Sequence, residues 1–283
     1  MKVSFFPGCS LEGTAREYGE SIEAVCESLS VELQELPDWT CCGASSAHCT
    51  SEYLSLALPA RNLLEAEKND RDLVTPCAAC FSRLKAAEKA LTGQPKVDVG
   101  IPLKGKTSIH HILEFLCRET FLEEIEKKIT LPLKNLKVVS YYGCLLVRPP
   151  GVTQVENFED PGTLDLLINL LGGESVFWPY KTECCGGSLV LSKVDIVRKL
   201  NGRLLDMARE AEADCIVTAC PLCQANLDTR QEEIEAESGT KYNIPIFYFT
   251  ELIGLAFGSK DISKWMSRHF VDPRPLLEAK KLI

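Results

Sequence analysis

The sequence predicts an α/β fold of two pseudo-symmetric halves, each a small, mainly parallel sheet flanked by helices. Three observations carry this expectation. Short apolar runs alternate with segments whose apolar residues recur at three- and four-residue spacing, the pattern of strands crossing over through helices. The same succession of segments occurs twice within the 283 residues. Cysteine-bearing turns follow the apolar runs, and loops at strand C-termini are where open α/β sheets present ligands.

Taken in order, "KVSFFPG" (2–8) is a short apolar run closed by glycine and reads as the first strand. A helical pattern, "LALPARNLLEAEKND" (56–70), leads to "DLVTP" (72–76), a buried strand that ends at a Cys-x-x-Cys turn and a second helix, "FSRLKAAEKAL". "IHHILEFL" (109–116) closes the first half, and "EIEKKITLPLKN" (124–135) reads as the junction. The succession then restarts. "LKVVSYYG" (136–143) matches the first strand, "VDIVRKLNGRLLDMAREAEA" (194–213) the first long helix, "DCIVTAC" (214–220) the strand before the turn, and "QANLDTRQEEIEAE" the helix after it. "IFYFTELIGLAF" (246–257) parallels "IHHILEFL". The expected domains are 1–134 and 135–283.

Composition narrows the function. Apolar residues make up 45% and charged residues 25%, an ordinary globular balance. A net charge of −9 argues against broad nucleic-acid binding. No basic segment followed by an apolar stretch opens the chain as a signal peptide would, so a cytoplasmic protein is expected. The most apolar run, "IPIFYFTELIGLAFG", is too short to span a bilayer and contains Glu251, so no direct membrane span is expected.

Fourteen cysteines remain to be explained. In a chain of this size, able to bury a core, such a number points to metal ligands or redox chemistry rather than to a disulfide scaffold. Two adjacent pairs, Cys41-Cys42 and Cys184-Cys185, are too close along the backbone for an unstrained mutual disulfide. Their surroundings repeat. Cys9 precedes Cys41 by 31 intervening residues and Cys144 precedes Cys184 by 39. From Cys42 to Cys77, and from Cys185 to Cys220, there are 34 in both halves, followed by Cys77-x-x-Cys80 and Cys220-x-x-Cys223. Ten of the fourteen fall on this template. Zinc, an iron–sulfur group and buried thiols all compete as readings. A closed zinc site uses four ligands, and so does an ordinary cubane, whereas each half offers five. Gly43 and the Gly186-Gly187 pair allow positive φ and close approach of backbone N–H groups to inorganic sulfide, or they simply close a turn.

The repeated Cys…Cys-Cys-Gly…Cys-x-x-Cys pattern resembles the cysteine-rich CCG domain family, and its two-copy form resembles the B subunit of heterodisulfide reductase. The likeness runs from Lys2 to about Leu255. It implies two CCG domains, each holding a non-cubane [4Fe–4S] cluster: one on Cys9, Cys41, Cys42, Cys77 and Cys80, the other on Cys144, Cys184, Cys185, Cys220 and Cys223. It implies a disulfide substrate between the clusters, reduced to two thiols by one electron from each. It also implies partners, the C and A subunits of such a complex: the one iron–sulfur and ferredoxin-like, the other flavin-containing, with no flavin in this chain. Leu145 stands where methanogen members often carry a polar residue such as His. This points away from the coenzyme M–coenzyme B heterodisulfide and toward the heterodisulfide-reductase-like forms of other anaerobes. The alternative within the resemblance is a non-catalytic electron-transfer protein serving a quinone or a partner.

The other candidates have plainer readings. Arg148, four residues after Cys144, either meets an anionic substrate group or is a surface arginine with a packed stem. Cys26, Cys117 and Cys215 read as buried thiols, and Cys49, beside His48, as a free thiol or an auxiliary ligand. His110 and His111 read as capping or packing groups. Trp39 and Trp178 precede the two Cys-Cys pairs and either shield a cluster or fill the core. Pro221 removes an N–H at the second Cys-x-x-Cys, tuning a cluster or shaping the turn.

Overall fold

The computed structural model describes residues 1–93 and 96–283. Its strands form two four-stranded sheets, both entirely parallel. Strands β1 (Lys2–Phe5), β2 (Glu32–Glu35), β3 (Leu73–Thr75) and β4 (Ile109–His111) order as β2-β1-β3-β4. Strands β5 (Lys137–Tyr141), β6 (Glu174–Ser175), β7 (Cys215–Thr218) and β8 (Ile246–Tyr248) order as β6-β5-β7-β8. The expected α/β architecture of two pseudo-symmetric, cysteine-rich halves is therefore the one observed.

Strands β3, β7 and β8 are buried along their whole length, which is why they read as continuous apolar runs. The helices between them carry amphipathic stripes. Helix Glu52–Ala66 starts earlier than its apolar pattern because Ser51 Oγ accepts the Leu54 N–H at 3.2 Å, an N-cap. The single helix expected over 224–237 is two, Pro221–Thr229 and Gln231–Ser238, separated at Arg230. Strands β2 and β6 lie at the sheet edges. They are polar and short, as exposed edges commonly are, and so lack the apolar pattern by which the others announce themselves.

The halves interlock. Tyr18, on helix Arg16–Ser28 of the first half, stacks on Tyr248 at 4.0 Å between ring centroids and 4° between planes. Its hydroxyl donates to the Ala219 carbonyl at 3.2 Å, and Ser21 Oγ meets Thr250 Oγ1 at 2.7 Å. Aromatic burial of this kind adds to the area term that holds two surfaces together. The end of the junction segment hydrogen-bonds to the second half: Thr130 and Leu131 N–H groups donate to Ala256 O, and Leu133 N–H to Leu171 O.

A buried charge cluster lies behind this seam. His269 Nε2 donates to Glu251 Oε1 at 2.9 Å, with Asp228 and Glu17 close by. Burial opposes the imidazolium, yet Glu251, Asp228 and Glu17 outweigh it and hold His269 at about 9 against an ordinary 6.5. Burial, reinforced by Glu251, lifts Glu17 to about 7. Both folded values lie above the unfolded ones. The stabilisation from His269 is thus complete below pH 6.5 and lost as pH rises through about 9; that from Glu17 is lost between 4.5 and about 7. For His269 this amounts to about 3 kcal/mol. The Tm difference between wild type and His269→Gln is expected to be large at about pH 6 and to shrink by about pH 9.5. An equal difference at both would show that the pair is not ionised.

Candidate metal centre

Parallel strands that neighbour one another open their C-terminal turns on the same edge. Cys9 follows β1, Cys41 and Cys42 follow β2, and Cys77 and Cys80 follow β3, three adjacent strands. In the second half Cys144 follows β5, Cys184 and Cys185 follow β6, and Cys220 and Cys223 follow β7. Cysteines far apart in sequence are brought together in this way. Cys77 and Cys220 are N-caps of helices Ala78–Thr92 and Pro221–Thr229, in extended backbone, and the x-x spacing lifts Cys80 and Cys223 onto the first turn. Pro221 occupies the first helical position, where its missing N–H would have had no helical partner.

Every cysteine is a free thiol. In the first set Cys42 and Cys80 sulfurs lie 3.3 Å apart; in the second, Cys144 and Cys184 lie 3.8 Å apart and Cys185 and Cys223 3.6 Å apart. All are far beyond a covalent S–S bond. All five second-half cysteines line one cavity of ≈ 40 Å³, together with Leu145, Leu222 and, from the first half, Ala78. The two sets meet at the seam, where the Cys77 and Cys220 thiols interact. Cys42, Cys77, Cys80, Cys185, Cys220 and Cys223 are buried; Cys9, Cys41 and Cys184 are exposed.

The surrounding backbone is shaped to admit the sulfurs. Gly8 and Gly143, each just before the first cysteine of a set, take φ of +71° and +65°. A Cβ on Gly8 would lie 3.0 Å from Cys80 Sγ, and one on Gly143 2.8 Å from Cys223 Sγ. Gly43 N–H donates to Cys41 Sγ at 3.5 Å and Gly186 N–H to Cys184 Sγ at 3.2 Å. Of the glycines singled out in the sequence, Gly43 and Gly186 adopt the left-handed region and Gly187 does not.

Asparagines brace the Cys-Cys segments. Asn62 accepts from Thr40 N–H at 2.9 Å and donates to Thr40 O at 2.8 Å; Asn201 and Asn226 both donate to Cys185 O, at 3.0 and 2.7 Å. Sequence reading missed these residues because an asparagine inside an amphipathic helix carries no pattern of its own. The glycine before each first cysteine was visible as "PGC" and "YGC". Trp39 packs edge-on against Phe6 at 5.5 Å and Trp178 against Tyr141 at 6.2 Å, in corresponding places beneath the turns. Trp178 is fully buried and donates to Ser140 O.

Thiol electrostatics follow from this crowding. Hydrogen bonds from Cys41 and Cys80 hold Cys42 below the ordinary thiol range, against burial and with help from the Ala44 N–H and Arg83; Cys41 is raised correspondingly. Cys220 is lowered because Cys223 and Cys77 donate to it. Outside the two sets, burial pushes Cys26 and Cys117 up to about 12 and Cys215 higher still, so these are inert thiols. Cys49 is exposed on helix Ala44–Thr50. His111 is buried, kept neutral by that burial at about 4, and makes a hydrogen bond with Pro76 O while its Nδ1 caps Leu113 N–H. Arg148 pairs with Glu159 at 2.8 Å and donates to Thr182 Oγ1 at 3.0 Å, bracing the approach to Cys184.

The donor chemistry fits an iron–sulfur group. Thiolates are the ligands of such clusters, and backbone N–H groups point at the sulfurs as they do where potentials are tuned. Thr75 and Thr218, each two residues before a Cys-x-x-Cys, hold sealed hydroxyls with no partner, which acceptor atoms of a bound group would satisfy. Among the described residues no three His, Cys, Asp or Glu side chains gather around a point where one metal ion would sit. The sulfurs meet in pairs instead, and a group using all five of a set has to span several of these contacts.

The fold and the thiol sets define an iron–sulfur protein of duplicated cysteine-rich domains. The Cysteine-rich domain (CCG) family matches residues 3–85 and 138–228. The chain is 31% identical to the membrane anchor subunit of 8-methylmenaquinol:fumarate reductase from Wolinella succinogenes, over 97% of this chain and 99% of that one. It is 31% identical to the B subunit of the ferredoxin:CoB-CoM heterodisulfide reductase of Methanosarcina mazei, over 91% and 89%. A hypothetical protein from Helicobacter pylori shares the fold at a TM-score of 0.74 and 12% identity, covering 96% of this chain; the chain spans 52% of that structure. The chain belongs to the family of heterodisulfide reductase B subunits, proteins of two CCG cysteine-rich domains, and is an iron–sulfur subunit of an oxidoreductase complex. Among the described residues no helix is long and apolar enough to cross a membrane.

Proposed function

We propose that this chain is the catalytic subunit of a heterodisulfide-reductase-like complex, reducing a disulfide to two thiols: R–S–S–R′ + 2e⁻ + 2H⁺ → RSH + R′SH. The observation that carries this reading is that two five-thiol sets lie on either side of one seam, with Cys77 and Cys220 near enough across it to influence each other's ionisation and Tyr18 of the first half bonded to the Ala219 carbonyl beside Cys220. In the proposal, domains 1–134 and 135–283 each hold a non-cubane [4Fe–4S] cluster. Cys9, Cys41, Cys42, Cys77 and Cys80 are the ligands of one; Cys144, Cys184, Cys185, Cys220 and Cys223 are those of the other. Bound there, each cluster supplies one of the two electrons that cleavage of an S–S bond requires.

The chain's own residues prepare the site. Gly8 and Gly143 leave room for Cys80 and Cys223. Asn201 and Asn226 fix the Cys185 carbonyl and with it the direction of the pair. Tyr18 and His111, bonded to the carbonyls just before Cys220 and Cys77, seal the seam from behind. Leu145 and Leu222 make the second cavity's wall apolar, which suits a disulfide more than its charged tails. Arg148, anchored by Glu159 and Thr182, is the proposed substrate contact on that side. Electrons reach the chain, in this reading, from two partners in the cytoplasm, a flavin-containing one and a ferredoxin-like iron–sulfur one.

A second reading has an observation of its own: the Wolinella relative's name places it in a quinol-oxidising complex. On that reading the chain relays electrons between a quinone and a partner. Adding a thiol to the oxidised, anaerobically purified protein separates the two. A new paramagnetic signal, with disulfide-dependent oxidation of a reduced viologen dye, is expected. No signal, together with quinol-dependent dye reduction, would transfer the assignment to the relay.

A further inference from the structure

Arg83 stands one turn beyond Cys80 on helix Ala78–Thr92 and is half-buried. Its Nε is sealed from solvent without a hydrogen-bond partner, and the side chain makes no ion pair or hydrogen bond among the described residues. A buried donor left without a partner is costly, the more so on a charged group, and buried polar groups in native proteins are paired as a rule. Arg83 also lies within electrostatic reach of Cys42. It lines a cleft of ≈ 640 Å³ between helices Glu52–Ala66 and Ala78–Thr92, to which Val152 of the second half also contributes.

The cleft is basic in a protein of net charge −9. Lys89, two helical turns along from Arg83, lines it, with Lys96 and His48; Glu52 is its one carboxylate. The ammonium of Lys89 is spent on a backbone carbonyl, Gly151 O at 2.5 Å, so its charge has no anionic partner there. Leu56, Ala86 and Ala90 supply apolar wall. The second half differs. At the position corresponding to Arg83 it carries Asn226, whose amide is fully engaged by Cys185 O and Arg230.

We propose that this cleft is an oxyanion subsite beside the first thiol set, and that Arg83 is its anchor, receiving a carboxylate, sulfonate or phosphate group of the disulfide substrate. The planar guanidinium matches such a group bidentately, and Lys89 adds charge without competing for its geometry. With an unpaired cation beside the first set, and in the second an amide at the equivalent place and Arg148 already paired with Glu159, the two ends of the substrate are told apart. The identity of the anion's bearer rests on the disulfide-reductase reading; the subsite itself does not.

Equilibrium dialysis on the anaerobically purified, iron-loaded protein tests this with three probes: inorganic phosphate, 3,3′-dithiodipropionate and the neutral bis(2-hydroxyethyl) disulfide. Arg83→Gln is expected to weaken the first two at least tenfold and to leave the third unchanged. Arg83→Lys restores part of the loss, and Lys89→Gln, at an exposed position, weakens phosphate about threefold. Iron content and circular dichroism of each variant guard against misfolding, and Lys89→Gln remains informative if Arg83→Gln does not fold. Unchanged phosphate and dithiodipropionate binding in both variants overturns the subsite. Loss of phosphate alone overturns its assignment to the substrate. Retained, Arg83-dependent binding without any disulfide turnover leaves the subsite standing and refutes the reductase reading.

Discussion

Substituting Cys185 by serine is expected to halve the iron and acid-labile sulfide of the anaerobically purified protein. The reason is local. Cys185 is buried, its sulfur lies 3.6 Å from Cys223, and two asparagines fix its carbonyl, so the second set has no slack with which to replace it. A serine hydroxyl ionises far less readily than a thiol and is a poor ligand for this chemistry. The first set, built on the other sheet, keeps its metal. Disulfide turnover is expected to fall on the order of 10²-fold or more, about 2.7 kcal/mol in the barrier, because one site cannot deliver both electrons. Unchanged iron would remove Cys185 from the ligand set. Loss of all iron would show that the two halves load as one unit, and zinc in place of iron would refute the cluster assignment itself.

The second large effect is expected from Gly143→Ala. The residue sits at φ +65°, a conformation that costs an L residue roughly 1–2 kcal/mol. The added methyl would also lie 2.8 Å from Cys223 Sγ, nearer than real carbon atoms come. Cys223 must then move, and the iron held by the second set is expected to be lost along with about 1–2 kcal/mol or more of stability. Gly100→Ala is the control. Gly100 has φ of +67° but nothing within 4 Å of a new Cβ. It should therefore show the backbone strain and retain its iron. Equal iron in the two variants would mean that the close approach of Cys223 to Gly143 has no part in metal binding. Denaturant titration and iron analysis measure both quantities on one preparation.

Much of the site was legible in the order of residues. The 34-residue interval recurs because in both halves a short helical turn and then one long helix, Glu52–Ala66 or Val194–Glu210, run between the Cys-Cys pair and the third strand, and the interval survives although most side chains differ. The apolar strands β3, β7 and β8 were legible because burial on both faces leaves a continuous apolar run. Strands β2 and β6 were not: β4 and β8 are edges too, but β2 and β6 are largely exposed and so need no such run. The break at Arg230 was also hidden: a charged residue is compatible with a continuous helix, and the hydrogen bonds that tie Gln231 to the Ile244 backbone just beyond the break join residues 13 apart in sequence.

The amino-acid sequence by itself determined that the chain is a duplicated α/β protein and that ten cysteines fall on two matched templates, each with a glycine directly after its Cys-Cys pair. These are properties of spacing and periodicity, which act over a few turns of chain. Tertiary structure alone decided which sets face each other, because the nearness of Cys77 to Cys220 depends on how two separate sheets dock around the Tyr18–Tyr248 stack. It decided too that Arg83 is unpaired in a cleft while Arg148 is held by Glu159. Whether a charge has a partner depends on what lies across a few ångströms of space, and chain distance does not encode that.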